Sequence, residues 1–188
     1  MAKVYTRSGD KGTCKVFGGD RLDKDHPRVE CLGAFDEANS SIGVLRVKLG
    51  LEHEWQDALL RIQTDMMNMM SHIATPSEHT ERNKKPLPDD GAQMCETWMD
   101  DMESKMTEGS DFFLLPGGNE VSAQCHVIRT QVRKAERRLA TLAKQDTVNE
   151  IIQKYINRMS DLFFLMARFE MDQKGIAEDK WKAFRKAK

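Results

Sequence analysis

Apolar residues recur along this 188-residue chain in steps of three and four, in five separate segments. The first segment runs through Phe35, Ala38, Ile42, Leu45 and Leu49, and the second through Leu59, Ile62, Met66, Met69 and Ile73. A weaker third stripe holds Met94, Trp98, Met102 and Met106. The fourth and longest passes through Val121, Cys125, Ile128, Val132, Ala135, Leu139 and Leu142, and the fifth through Ile152, Tyr155, Met159, Leu162, Met166 and Phe169. That spacing gathers apolar side chains on one face of a helix. Narrow stripes of this kind are what antiparallel helices bury when they pack at shallow angles. No alternation of strand type competes over comparable lengths. The pattern predicts an all-α, up-and-down bundle of about five helices.

The residues between the stripes punctuate this bundle. Gly50 should end the first helix, with Leu51 to Glu54 forming the turn. Thr75 to Gln93, "TPSEHTERNKKPLPDDGAQ", contains three prolines and no apolar stripe, so a mobile polar loop is expected there. Pro116 and Gly117-Gly118 cannot continue a helix and mark the approach to the fourth. Thr147 and Glu150 have the spacing of a capping box before the fifth. The length suits one domain, residues 1–188: an N-terminal loop (1–27), a helical bundle (28–174) and a tail (175–188) that is expected to be loosely attached.

Composition narrows the function. With 29 basic and 30 acidic residues the formal charge is -1, which gives no support for nucleic-acid binding. No apolar run approaches the ~18 residues of a membrane span, and the N-terminus lacks a secretory signal. Cys14, Cys31, Cys95 and Cys125 have no C-x-x-C spacing, and scattered thiols fit a structural role in a reducing cytoplasm. The 12 methionines fall mostly on the helical stripes, where they fill the core. A di-iron bundle would need Glu-x-x-His on two helices, and the chain has no such tetrapeptide.

Chemistry concentrates in three places. "YTRSGDKGTCKVFGGDR", Tyr5 to Arg21, combines Gly9, Gly12, Gly18 and Gly19 with Arg7, Lys11, Lys15 and Arg21, and with the hydroxyls of Thr6, Ser8 and Thr13. Glycines bring backbone N–H groups close to an anion, and the cations suit a polyphosphate. It is not a P-loop, and composition alone favours an unstructured polar leader over a phosphate loop. In "HVIRTQVRKAERR", Arg129, Arg133, Glu136 and Arg137 lie at i, i+4, i+7 and i+8, beside the apolar stripe. Guanidinium forks there suit phosphate, while a solvated charged face is the plain alternative. In "YINRMSDLFFLMARFE", Asn157, Arg158 and Asp161 interrupt an apolar segment and need partners.

In order along the chain, "YTRSGDKGT", "RVECLGAFDEANSSIG", "FFLLPGG", "RTQVRKAERR" and "YINRMSDLFFLMAR" resemble the motifs of the PduO-type ATP:cob(I)alamin adenosyltransferases. The resemblance covers roughly Val4 to Arg168. It implies a ferritin-like bundle that assembles as a homotrimer, with ATP, Mg²⁺ and a reduced corrinoid in sites at subunit boundaries. The reaction implied is transfer of the 5′-deoxyadenosyl group from ATP to cobalt, releasing triphosphate. It further implies that Tyr5, Thr6, Arg7, Ser8, Gly9, Asp10, Lys11, Gly12, Thr13, Arg28, Arg133, Lys134, Glu136, Arg137 and Asn157 hold ATP. Mg²⁺ would sit mainly on the phosphates, with Glu136 as a further candidate ligand. Asp36 and Arg129 would form an ion pair on the corrin side, and Phe113 would exclude the lower axial ligand of cobalt. A flavin-dependent reductase and an adenosylcobalamin-dependent enzyme would be its partners in the cytoplasm, with no nucleic acid and no membrane. The chain departs from the pattern at Ser8, where Thr is usual, at Cys14, and at Lys134, where Arg is common. A different class, a nucleotide-binding bundle without corrinoid chemistry, would keep the ATP loop and lack a use for Phe113, Asp36 and Arg129.

Overall fold

The computed structural model describes residues 5, 7–17, 21–107, 109 and 113–181. Five α-helices dominate it: α1 (Pro27–Leu49), α2 (Gln56–Ile73), α3 (Gly91–Lys105), α4 (Glu120–Leu142) and α5 (Glu150–Gln173). Each begins or ends where local chemistry dictates. Pro27 sits at the first turn of α1, where a missing N–H costs nothing, and the His26 ring accepts from Arg28 N. Gly50 takes φ 82 and closes the helix, as its position predicts. Asn119 and Asn149 cap α4 and α5 by accepting from Ser122 N and Ile151 N. The α5 cap is therefore Asn149 and not the predicted Thr147: an Asn two residues later already satisfies the first free N–H.

The helices alternate in direction. α4 packs against α1 and α5, α5 also against α3, and α1 against α2. Side chains fix the sense of each pair: Arg138 meets Glu30 near one end of α1 and α4, and Lys48 meets Glu120 near the other. The predicted stripes line the core, with Phe35, Ile42, Leu59, Met66, Ile128, Leu139, Tyr155 and Leu162 fully buried. Gly91 at the start of α3 is required by close approach, because a Cβ there would lie 2.4 Å from the Tyr155 ring.

Three connecting segments differ from expectation. The leader contains a small antiparallel hairpin, β1 (Thr13–Lys15) and β2 (Arg21–Asp23), too short to leave an alternating pattern. Arg21 braces it by donating to Ser8 O at 2.5 Å and Thr13 Oγ1 at 2.6 Å. The polar 75–93 stretch is tied down instead of free, with a 3-10 turn over Ser77–Arg82. Buried Asn83 bonds Ser71 and Thr75, and the His72 ring pairs with Lys85 O at 2.9 Å. The start of the tail is also held. Leu115 N donates to Asp179 O at 2.8 Å and Trp181 N to Phe113 O at 2.7 Å, and Glu178 accepts from buried Arg168. Among the described residues no helix is long and apolar enough to cross a membrane.

Candidate active site

α4 has three sides. Its apolar stripe faces the core, and a second flank meets α1 through Gln124, Gln131, Lys134 and Arg138. The remaining flank, toward α5, carries His126, Arg129, Arg133 and Glu136 at helical spacing. About 10 Å of helix axis separates Arg129 from Glu136. The row runs from the end where residues 113–118 enter α4 toward the end where the leader enters α1.

Arg129 is half-buried, its Nε is enclosed without a partner, and among the described residues its side chain makes no ion pair. Burial, and then the like charge of Arg133, lower its proton affinity below the usual guanidinium value. Two neighbouring cations that lack counter-charges among the described residues make a site that an anion relieves. One turn on, Asn157 of α5 donates to Glu136 Oε1 at 2.7 Å, so the structure brings together two residues assigned to ATP from separate motifs. Arg137 is exposed beside them.

The other assigned residues divide. Lys134 lies on the α1 flank, where it pairs with Glu37 at 2.5 Å, and this contact together with Gln131 holds the Glu37 carboxyl below its usual range. It therefore does not join the arginine row within one chain. Arg28 is 6% exposed and its guanidinium is engaged by Ile73 O, Thr75 O and Asp146. It clamps three chain segments together and has little left to offer a nucleotide. Asp36 is exposed on α1, and among the described residues no hydrogen bond or ion pair joins it to Arg129, so the expected pair does not form within one chain. α4 presents Arg129 on the flank turned away from α1.

In the leader, Arg7 has φ 58, a left-handed conformation unusual for a side-chain-bearing residue, and its guanidinium lies 5.6 Å from the Tyr5 ring centroid. Gly12 has φ 79, with open space where a Cβ would stand. Ser8, Asp10, Lys11 and Gly12 are exposed, and Gly9 and Thr13 partly so. Thr6, Gly18 and Gly19 lie outside the described residues.

Phe113 is 78% exposed, so its ring does not plug the core. Its ring meets the Trp181 ring edge-on, with centroids 6.2 Å apart. Gly118 holds φ 86 next to Met171, whose sulfur would lie 2.3 Å from an added Cβ, and this sharp turn sends the chain into α4. His126, which a reading centred on the arginines passes over, is buried at this same end. Its signal in the sequence is its place three residues before Arg129, on the same flank.

The arrangement can hold a polyphosphate along α4 and present an apolar ring at one end. Known proteins resemble the chain in sequence and fold. A family model described as cobalamin adenosyltransferase matches residues 4–170. A corrinoid adenosyltransferase of Bacillus subtilis (strain 168) is 36% identical, over 94% of this chain and 90% of its own length. The human corrinoid adenosyltransferase MMAB is 32% identical, over 95% of this chain and 72% of its own. A solved variant of a PduO-type ATP:corrinoid adenosyltransferase from Lactobacillus reuteri, complexed with cobalamin and ATP, superposes with a TM-score of 0.90 at 28% identity, covering 96% of this chain and 100% of that one. On the α4 row, the Glu136–Asn157 contact and these matches, the chain belongs to the cobalamin adenosyltransferase family.

Proposed function

We propose that the chain transfers the 5′-deoxyadenosyl group of ATP to the cobalt of a reduced corrinoid. The observation that carries this is the pair of uncompensated guanidiniums, Arg129 and Arg133, set between the Glu136–Asn157 contact and the exposed Phe113. Co(I) is itself the nucleophile. It attacks ribose C5′, a Co–C bond forms, and the C5′–O bond breaks with its electron pair leaving on triphosphate. The protein has to align cobalt with C5′ and to neutralise the charge that grows on the leaving group. Arg129, Arg133 and Lys11 supply that charge, while Asn157 and Glu136 orient the nucleotide. Mg²⁺ enters on the ATP phosphates in this reading. Among the described residues no cluster of three His, Cys, Asp or Glu side chains could hold it alone, and Glu136 is the nearest carboxylate on the row.

Phe113, on its loop, would lie against the lower corrin face and keep a fifth ligand from cobalt, which makes Co(II) easier to reduce. Mixing the protein with ATP and chemically reduced corrinoid tests the whole reading, since formation of a cobalt–carbon bond changes the visible spectrum. A bundle that binds ATP but leaves that spectrum unchanged would be the nucleotide-binding alternative. Phe113→Ala is expected to keep ATP affinity and to lose most activity when a mild reductant supplies electrons. Much of that loss should vanish when cobalt is supplied as Co(I). An equal loss in both assays would remove the axial role.

The active unit we propose is a homotrimer. Asp36 and Arg129 face apart within one chain, so their pair requires a neighbouring copy, as does closure of the exposed leader over a nucleotide. Asp36→Ala and Arg129→Ala should each impair turnover, and co-expressing the two should recover part of it, because mixed trimers contain some intact pairs. Mixed trimers that stay as inactive as either parent would place the pair elsewhere. Four free thiols fit a reducing cytoplasm, and burial pushes those of Cys31 and Cys95 up to about 12, which leaves them inert core residues. The chemistry requires an electron donor upstream, for which we propose a flavin-dependent reductase, and its product suits an adenosylcobalamin-dependent enzyme downstream.

A further inference from the structure

A cavity of about 300 Å³ lies between the Leu114–Gly118 segment, the start of α4 and residues 176–179 of the tail. Leu114, Gly118, Ser122, His126 and Met171 are in its wall. It is far too small for a corrin, but it admits one arm of a larger ligand. His126 is the unusual member. It is 6% exposed, its ring packs on Phe164 with centroids 6.1 Å apart, and its Nδ1 has no hydrogen-bond partner among the described residues. Buried ring nitrogens are seldom left unpaired, so an unpaired one in a cavity wall points to a ligand.

The charge state narrows that ligand. Burial, and then Arg129 nearby, push the imidazole down to about 4, so the ring is neutral near pH 7. A neutral imidazole offers one donor and one acceptor and brings no charge to triphosphate binding. Its complement is an uncharged group that can both donate and accept, and a primary amide does so. The corrin ring carries acetamide and propionamide arms around its rim, and His126 stands at the Phe113 end of the arginine row.

We infer that His126 is a corrinoid-binding residue, its imidazole exchanging a hydrogen bond with a peripheral amide of the corrin ring. The inference rests on the adenosyl-transfer reading above. The test uses His126→Phe, which keeps a ring against Phe164 and removes both nitrogens, and His126→Asn, which returns a polar group near the Nδ1 position. Cob(II)alamin and cob(II)inamide, which lacks the nucleotide tail, are titrated into the ATP-loaded protein by visible absorption. ATP affinity is measured separately by calorimetry.

His126→Phe should weaken both corrinoids roughly tenfold, with ATP affinity within about twofold of wild type, and His126→Asn should recover most of the loss. Unchanged corrinoid affinity in a folded His126→Phe protein overturns the assignment, and leaves the cavity to an ordered water. A loss confined to cob(II)alamin overturns it too, since the contact would then be with the nucleotide tail. An equal loss of ATP affinity would mean only a distorted helix. His126→Leu is read in the same way if the phenylalanine variant does not fold. A wild-type protein that binds ATP but neither corrinoid sinks the adenosyl-transfer reading itself, an outcome distinct from all of these.

Discussion

Replacing Arg133 by alanine is expected to lower turnover by about a hundredfold, while Lys134→Ala leaves it within a few-fold of wild type. The two residues are adjacent cations on one helix, and composition cannot separate them. The fold does. Lys134 points toward α1 and is neutralised by Glu37, whereas Arg133 shares the α5 flank with Arg129 and has no counter-charge among the described residues. A positioned cation at a developing negative charge is worth ~3 kcal/mol, and a solvated surface charge a few tenths. Steady-state turnover with Co(I) supplied chemically reads the difference directly. Equal and small effects from both changes would mean that the row is only a hydrated face.

The second large effect is on stability. Arg28→Ala should cost about 3 kcal/mol, because it leaves two buried main-chain carbonyls and a part-buried carboxylate without their guanidinium donor. For a chain of this size that corresponds to a fall of roughly 10 °C in Tm. Arg28→Lys should fall between, since an ammonium keeps the charge but cannot fork to all three acceptors. A melting temperature unchanged in Arg28→Ala would remove the clamp from the account and free Arg28 for nucleotide again. The same contact sets an acid limit. Burial raises the Asp146 proton affinity, but bonds from Ser77, Thr147 and Arg28 outweigh it and hold the carboxyl below its usual range. Its contribution is therefore complete above the unfolded value of about 4 and is lost as pH falls through the lower folded value. Arg28→Ala should make the low-pH arm of the stability profile only somewhat shallower, because the Ser77 and Thr147 bonds to Asp146 remain.

The helices were legible because each buries a stripe long enough to repeat its period several times. The α4 row was legible for the same reason: Arg129, Arg133 and Glu136 share a flank by spacing alone. What the sequence hid depends on contacts between distant residues. Arg28 was assigned to the nucleotide through the family resemblance, and nothing in the sequence shows its partners, which lie 45, 47 and 118 residues away. Two of those partners are main-chain carbonyls, which no residue name reveals. The hairpin escaped notice because three-residue strands show no alternation. The tail read as loose because its hold on residues 113–115 is also through backbone groups. Asp36 and Arg129 could be named from the chain, but only the fold puts them on faces that cannot meet in one copy.

The Arg28 clamp has a consequence for how the protein can change. It grips Ile73 and Thr75 by their carbonyl oxygens, and Asp146 in turn receives the backbone N–H of Ser77. An anchor that reads main chain is blind to side-chain identity. Exposed residues between Glu78 and Pro86, Glu81 and Lys84 among them, can therefore be replaced, and the surface they form can acquire new charge or new recognition, without loosening the hold on the bundle. Those exposed positions are free to diverge, while buried Asn83 between them and the arginine beneath are not.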